Sequence, residues 1–548
     1  MKRIAIVLAM VMLCLTLTSC GESKRTGAED ANMKLSAPGE FPITEEPLTY
    51  RIMVPTSNYI EDYNTNEFTL DYEKKTGIHI EWDVVIGDFE QKKNVVFASG
   101  TYPDAIMQGG ISKAQQVSLG QNGVLMPLND LIENDSKYFK EIMAQDDYIR
   151  KQLTALDGNI YGLPNLNYTY HMRYSNKMWV YKPWLDKLNI SIPETTDEFY
   201  EMLKRFKNDD PNGNGIQDEI PFASQSGRGY NGIDIFLMNS FIYTPNTDGG
   251  EQSTADLVVE DGKIKFNAIA DEFRDGLRYI KKLYNEGLVA QESLTMDRKK
   301  RTTLVETGDV PIVGVLPAMW PGMFTVSGAE KSFRQDFVAI PPLEGPNGQR
   351  QTPRRQDSAT GSHFSITTQC KNPRALMHWV DWFYSEEGSL TMSYGRENEG
   401  WSYAKEGDIA INGEQAKWAL SQSYGSMQNN AWMGVAPSYK STELTLSQKV
   451  TSDDSSEVLL YETTRDLYEP YGKDCDVPDM FFELDTLSEL AELKSNINGL
   501  VTQSISQFIA GQKDIENDWE SFKSELENLG LQRYLDIYQK QYDLYIKN

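Results

Sequence analysis

"LTYRIMVP" (48–55), "EFTLDYEKKTG" (67–77), "IHIEWDVVI" (78–86), "FEQKKNVVFASG" (89–100) and "PDAIM" (103–107) follow one another in one part of the chain. Short runs rich in Ile and Val alternate with amphipathic segments about ten residues long, the pattern of successive βαβ units. Such strands form a parallel sheet with helices on both faces, so the expected fold class is α/β. The alternation resumes in "VPIVGVLPAMW" (310–320), "DFVAIPPL" (336–343) and "SHFSITT" (362–368). A helix follows in "PRALMHWVDWFYSEEG" (373–388), with proline in its first turn. Further on, Leu490, Leu493, Ile497, Leu500, Ile505 and Phe508 recur at helical spacing, as do Trp519, Phe522, Leu526 and Leu529, which predicts C-terminal amphipathic helices.

The chain opens "MKRIAIVLAMVMLCLTLTSC" (1–20), two cations and then an apolar stretch, the layout of an export signal. That stretch is too short for a permanent membrane span. Its end, "LTSC", resembles the lipobox of bacterial lipoproteins, in which the cysteine is diacylated on sulfur, palmitate being a typical chain, and becomes the new N-terminus after cleavage. Cys20 is then the expected lipid anchor. Residues 21–44 are polar and without apolar period, and read as a flexible tether. Its reach would be roughly 25 to 30 Å. No later apolar run approaches spanning length, so the remainder is expected outside the cytoplasmic membrane, held there only by its anchor.

Of 548 residues, 40% are hydrophobic and 11% aromatic, enough for more than one substantial core. A formal charge of −27 argues against nucleic acid or an anionic membrane as a partner. Besides Cys14 in the signal and Cys20, the chain has Cys370 and Cys475, which could pair outside the cytoplasm.

Residues 195–206, "TTDEFYEMLKRF", open with a capping box from Thr195 to Glu198 and carry Phe199, Met202, Leu203 and Phe206 on one face. This helix runs into "DDPNGNGIQDEIPF" (209–222). Counted from Asp210, positions 1, 3, 5 and 9 are Asp210, Asn212, Asn214 and Asp218, position 6 is Gly215, and position 7 is Ile216, which offers only its carbonyl. The spacing matches the first nine positions of a calcium loop. All the donors are hard oxygens, which favours Ca2+ over zinc or copper. After Asp218 the loop departs from an EF-hand: position 12 is Pro221, and Glu219 stands beside Asp218 instead. The alternative is a metal-free turn whose Asn and Asp side chains bond their own backbone. As a metal site it would be structural, clasping the elements it joins.

The order of "ASGTYPDAIM", "GVLMPLNDLI", "LDGNIYGLP", "WLDKLNISIPETTDEFYEMLKRFKNDDPNGNGIQDEIPF" and "YGRENEGWSY" resembles the extracellular solute-binding lipoproteins of carbohydrate ABC importers, over residues 48–548. The calcium-type loop is similar to that of alginate-binding members, whose ligand pattern carries over to Asp210, Asn212, Asn214, the Ile216 carbonyl, Asp218 and Glu219. The resemblance implies a periplasmic-binding-protein-like fold. Lobe 1 is expected at 45–165 plus about 352–425, and lobe 2 at about 168–350 plus about 430–548, with a hinge and a ligand cleft between them. It also implies an oligosaccharide ligand, capture by lobe closure, an ABC permease as partner and a monomeric chain. Family members often read Tyr-Gly-x-Glu-Gly near the cleft. Here "YGRENEGWSY" carries extra residues, so the roles of Glu397 and Glu399 stay open.

A sugar cleft needs aromatic faces for C–H patches and planar polar groups for hydroxyls. Aromatics in breaker-rich stretches are the candidates: Trp320, Trp401, Trp432, Tyr168 and Tyr230. Trp379, Trp382 and Trp519 lie on helices and are expected in cores. Polar candidates are Asn165, Asn167, Arg354, Arg355 and Asp357, where Arg forks and amides can grip vicinal hydroxyls or a uronate. A glycoside hydrolase would need two carboxylates across a cleft, but Glu386–Glu387 and Asp453–Asp454 are sequence neighbours that read as solvated surface. The four histidines show no metal spacing and the chain has no G-x-S-x-G elbow. No catalytic residues are assigned. A binder of a non-sugar ligand such as a peptide has the same fold expectation.

Overall fold

The computed structural model describes residues 33–245, 256–326, 332–355, 359, 362–422, 426–451 and 455–547. The signal, Cys20 and Asp357 lie outside the described residues.

The framing strands are β1 (Leu48–Pro55), β2 (Ile78–Val85), β3 (Ala105–Ile111), β4 (Met178–Tyr181), β5 (Ile220–Phe222), β6 (Val313–Pro317), β7 (Phe337–Ile340) and β8 (Ser362–Ile366). The helices used below are α1 (Glu67–Thr76), α2 (Phe89–Ser99), α3 (Lys113–Gln121), α4 (Asp147–Leu153), α5 (Thr196–Asn208), α6 (Asp271–Asn285), α7 (Pro373–Asp381), α8 (Ser455–Thr463), α9 (Leu484–Ile509), α10 (Trp519–Asn528) and α11 (Leu531–Tyr545).

Two four-stranded sheets result. The first has the order β8–β3–β1–β2, with β1 parallel to β2 from Leu48 opposite Ile78 to Pro55 opposite Val85. The second has the order β7–β4–β6–β5. Neither sheet is purely parallel, as the βαβ pattern alone had suggested. β8 runs antiparallel to β3, and β4 antiparallel to both neighbours. Both strands enter their sheets from the other half of the molecule, so no right-handed crossover helix fixes their direction.

One core gathers apolar side chains from 43–168 and 359–436, the other from 174–343 and 460–538. These are two α/β lobes, each assembled from two stretches of chain. The return to lobe 2 comes later than residue 430, because Trp432, Val435 and Ala436 pack with lobe 1 and the second core resumes at Leu460. The expected tether is also shorter. Leu35, Phe41 and Ile43 pack on lobe 1, Phe41 edge-on to Trp382 at 6.0 Å, so apolar residues too sparse to show a period still find an aromatic groove. Cys370 lies buried in lobe 1, and Cys475 is half-buried beside Val259 of lobe 2; both are thiols.

The Thr195 capping box forms as read: Thr195 Oγ1 accepts from the Glu198 amide at 3.1 Å, and the Glu198 carboxylate accepts from the Thr195 amide at 3.2 Å. Phe199, Met202, Leu203 and Phe206 are all buried on the lobe 2 side of α5. Thr195→Ala should lower lobe 2 stability by about 1 kcal/mol in a denaturant melt, with an unchanged midpoint counting against the cap. Trp379, Trp382 and Trp519 are core side chains, as their helical settings predict. No described helix is long and apolar enough to cross a membrane.

Candidate functional site

The chain passes between the lobes three times, and short strand pairs tie the passes together. Leu166–Asn167 on the first pass pairs with Tyr439–Lys440, and Thr352–Pro353 on the second pairs with Gly472–Lys473 on the third. Lys177 pins the first pass. It is fully buried, its Nζ donates to the carbonyls of His171 and Tyr174, and it lies 5.3 Å from the centre of the Tyr468 ring. Burial lowers this lysine to about 7. The Tyr468 hydroxyl donates to the Ile340 carbonyl at 2.5 Å and accepts from the Met178 amide at 3.2 Å, at the end of a π-helical turn, Thr464–Tyr468. Such turns insert a residue into a helix and often mark working positions.

Around these pins lies a polar and aromatic cluster. Tyr170 donates to Glu469 at 2.6 Å and packs on Tyr461, and His171 Nε2 lies 3.5 Å from the Glu457 carboxylate on α8. The Arg355 amide donates to the Arg173 carbonyl at 2.7 Å, and the Arg354 amide to the Lys473 carbonyl at 2.8 Å. Arg354 and Arg355 therefore reach the interlobe junction, as do Asn165, Asn167 and Tyr168 on the first pass. Asn165 accepts from Ser438 at 2.9 Å, Asn167 from the Thr169 hydroxyl at 2.7 Å, and Tyr168 stands edge-on to Tyr439. The Tyr168 ring itself is buried against lobe 1 and offers no open stacking face.

Asp476, on the third pass, accepts from the Tyr243 hydroxyl at 2.6 Å. Burial, with Asp474 adding to it, pushes this carboxyl up to about 7 against the opposing pull of Tyr243 and Arg355. In the unfolded chain it titrates near 4. The folded protein thus binds this proton more tightly, and the resulting stability is fully present below about pH 4 and lost as pH rises through about 7. Asp476→Asn should remove that slope: the melting temperature of the wild type relative to the variant falls between pH 5 and 8. Parallel curves would refute the assignment.

Trp320 follows β6 at the end facing the crossings. Arg334 lies over its ring at 5.2 Å, and the Gly322 backbone packs so close to the benzo edge that a Cβ there would sit 2.1 Å from the indole. Trp320, Pro321 and Arg334 form one wall of a groove of about 470 Å³, and Ser456, Leu459 and Leu460 of α8 form the other. That volume suits a small oligosaccharide. A larger groove of about 560 Å³ along Arg298, Lys299, Thr302 and Thr303 has no aromatic wall and lacks the stacking face a sugar needs. Tyr230 is half-buried beside Asn231, which accepts from Arg301, whose guanidinium also donates to the Met323 carbonyl in the Trp320 loop.

Two tryptophans do not belong to this site. Trp432 is buried in the lobe 1 core among Phe68, Trp82 and Phe383, with Nε1 donating to Thr69 at 2.8 Å. Asn66, the cap of α1, donates to the Ala431 carbonyl and bolts the "NNAWMG" loop down. Trp401 is buried in a small core with Leu390, Trp418 and Leu444. In both cases a stretch irregular in backbone is fully packed in side chain. Glu397 and Glu399 are exposed, and Arg396 just before them turns to Asp71 and Glu67 of α1, which keeps the extra residues on the lobe 1 surface. Sequence reasoning missed Tyr170, Arg173, Tyr461 and Arg334. The first two stand within a few residues of Asn167 and Tyr168, and only the lobe geometry brings the others to them.

The loop after α5 folds around its own acidic and amide side chains. Asp210 accepts from the Gly213 and Gly215 amides at 2.9 and 3.1 Å, and the Asn212 and Asn214 carboxamides donate to Asp218 at 2.8 and 3.1 Å. Asp210, Gly213 and Gly215 all have positive φ, the last two at little cost because they are glycines. Both Glu219 carboxylate oxygens are buried with no partner in hydrogen-bond geometry. Burial raises this carboxyl, Asp210 and Asp218 add to the rise, and the amides of Glu219 and Asn212 lie near enough to oppose it. Among the described residues no three His, Cys, Asp or Glu side chains are gathered as a metal-holding group. The expected set includes three such carboxylates, Asp210, Asp218 and Glu219, and they are not drawn together as one group. The Asn212 and Asn214 side chains turn their N–H groups to Asp218 and their oxygens to backbone amides, as in a metal-free turn, while the orphaned Glu219 oxygens fit a hard cation.

The profile of bacterial extracellular solute-binding proteins matches residues 56–389. The chain belongs to this family. The fructooligosaccharide ABC transporter substrate-binding protein FusA of Streptococcus pneumoniae serotype 4 is 30% identical over 551 aligned positions, 97% of this chain and 96% of FusA. The solved structure of FusA with kestose superposes with a TM-score of 0.73 at 26% identity, covering 91% of this chain and all of that one. A FusA EF-hand mutant with fructo-nystose gives a TM-score of 0.71 at 26% identity, with the same coverage of both chains. This solute-binding protein shares with its relatives the two-lobed α/β fold, and those relatives are binding proteins.

Proposed function

We propose that this solute-binding protein captures an oligosaccharide in the groove between Trp320 and α8, closes its lobes on it, and hands it intact to an ABC permease. The observation that carries the reading is the aromatic and arginine-walled groove beside three interlobe crossings, in a chain related over nearly its whole length to a fructooligosaccharide receptor. Trp320 supplies the stacking face. Arg354, Arg355, Arg173, Asn165 and Asn167 supply planar donors and acceptors at the junction. Tyr230 stands on the lobe 2 rim. The protein works as a monomer, tethered through a diacylated Cys20 on the outer side of the cytoplasmic membrane, and performs no chemistry on the sugar.

Asp210, Asn212, Asn214, the Ile216 carbonyl, Asp218 and Glu219 would hold one structural Ca2+ joining α5 to β5. Bound there, the ion would supply charge neutralisation for three carboxylates and nothing to the ligand.

Calorimetric titration with kestose, fructo-nystose and a panel of glucan, galactan and uronate oligosaccharides tests the assignment. One class should bind with a Kd in the micromolar range or below, with the sugar recovered unchanged by chromatography. Silence across the panel, or cleaved products, would overturn it.

A further inference from the structure

Beyond the third crossing, residues 477–482 carry no helix or strand and lead into α9, and their side chains divide between the lobes. Val477, Met480 and Phe482 pack with lobe 2. Phe481 points the other way. It is buried in a satellite core whose remaining buried members, Met53, Val85 and Ile106 among them, all come from between residues 53 and 161 of lobe 1.

Lys113, the first residue of α3, holds the neighbouring position. Its Nζ donates to the Asp479 carbonyl at 2.7 Å, stands 3.3 Å from the Asp479 carboxylate and lies 4.7 Å from the centre of the Phe481 ring. Lys113 is itself buried, and a capping box from Ser112 to Gln115 fixes the start of its helix. A desolvated ammonium with these partners resists separation from them.

The pairings that join the three passes are only two residues long. They can bend, but they do not decide which edge of the two lobes stays together. The Phe481 seat comes eight residues past Lys473, so a short length of chain ties it to the paired crossings. We propose that Phe481 in its lobe 1 seat is the pivot on which the lobes turn as the cleft closes, with Lys113 as the positioning residue that keeps it seated. The pivot rests on the reading of ligand capture by lobe closure, but it is built from contacts that need no ligand.

The full mature protein is compared with Phe481→Ala, Phe481→Leu and Lys113→Met by ligand-free small-angle scattering, calorimetric melting and titration with whichever oligosaccharide the panel identifies. Phe481→Ala should enlarge the ligand-free radius of gyration, split one melting transition into two, and weaken binding about tenfold through a smaller closure-competent fraction. Phe481→Leu should restore most of all three. Unchanged ligand-free scattering overturns the pivot, whether or not affinity falls, because the residue would then act on the ligand alone. If Phe481→Ala does not fold, Lys113→Met is read against the same criteria. Should the wild type bind no oligosaccharide, the scattering and melting results still decide the pivot, so its failure is distinct from failure of the proposed function.

Discussion

Trp320→Ala is expected to weaken oligosaccharide binding about 30- to 100-fold while moving the melting temperature by only about 2 °C. The indole stands at the rim of the lobe 2 core, half-exposed to the groove, with Arg334 above it and Gly322 against its edge. A rigid aromatic anchor already held in place loses little entropy on binding, so its removal falls almost wholly on the ligand. Trp432→Ala should do the reverse. That side chain is sealed in the lobe 1 core and hydrogen-bonded to Thr69, so its loss should cost about 3 to 5 kcal/mol of lobe 1 stability. Residual folded protein should bind the sugar with nearly native affinity. Titration and denaturant melts of the two variants, side by side, separate groove from core. Equal effects on affinity would remove Trp320 from the site.

Stripping calcium should lower the melting temperature by about 5 to 10 °C. At a calcium concentration one hundred times Kd, binding to the folded state alone adds about 2.7 kcal/mol. For a unit of this size about 1 kcal/mol moves the midpoint by about 2 to 4 °C. The loop joins the end of α5 to the edge strand β5, and Glu219 is the residue whose unpartnered oxygens gain most from a cation. Asp210→Ala combined with Asp218→Ala should melt at the lower temperature with or without chelator, and ligand affinity should stay within about twofold at temperatures where lobe 2 remains folded. Superimposable melts of the wild type with and without chelator would dispose of the site.

Local patterns were legible where local physics sets them. The run from Leu48 to Met107 announced its strands and helices because burial alternation and helical spacing are short-range periods, and Thr195 announced its helix because a capping box is complete within four residues. The fate of tryptophans was not legible. Breaker-rich surroundings report an irregular backbone, and at Trp320 such a backbone lies open to a groove while at Trp401 and Trp432 it is folded into cores by distant partners such as Asn66 and Leu444. The crossings were legible only in outline, since Tyr170 meets Glu469 across nearly three hundred residues and no period connects them. For the same reason nothing near Phe481 in the sequence signals that one aromatic of "DMFFEL" belongs to the opposite lobe.

Because each lobe draws on two separated stretches, the two cores cannot be completed in the order in which their first halves are synthesised. Lobe 1 has its buried apolar residues bar Phe481 once the chain is out to about residue 444, whereas the lobe 2 core must wait for α9, α10 and α11. Until then the apolar residues those helices will cover, Leu277 and Ile280 of α6 among them, lack their partners. The nascent protein therefore passes through a stage with one finished half and one sticky half, a stage at which helper proteins have a defined surface to shield. A premature stop near residue 450 would trap it there permanently, giving a stable lobe 1 carrying an aggregation-prone appendage.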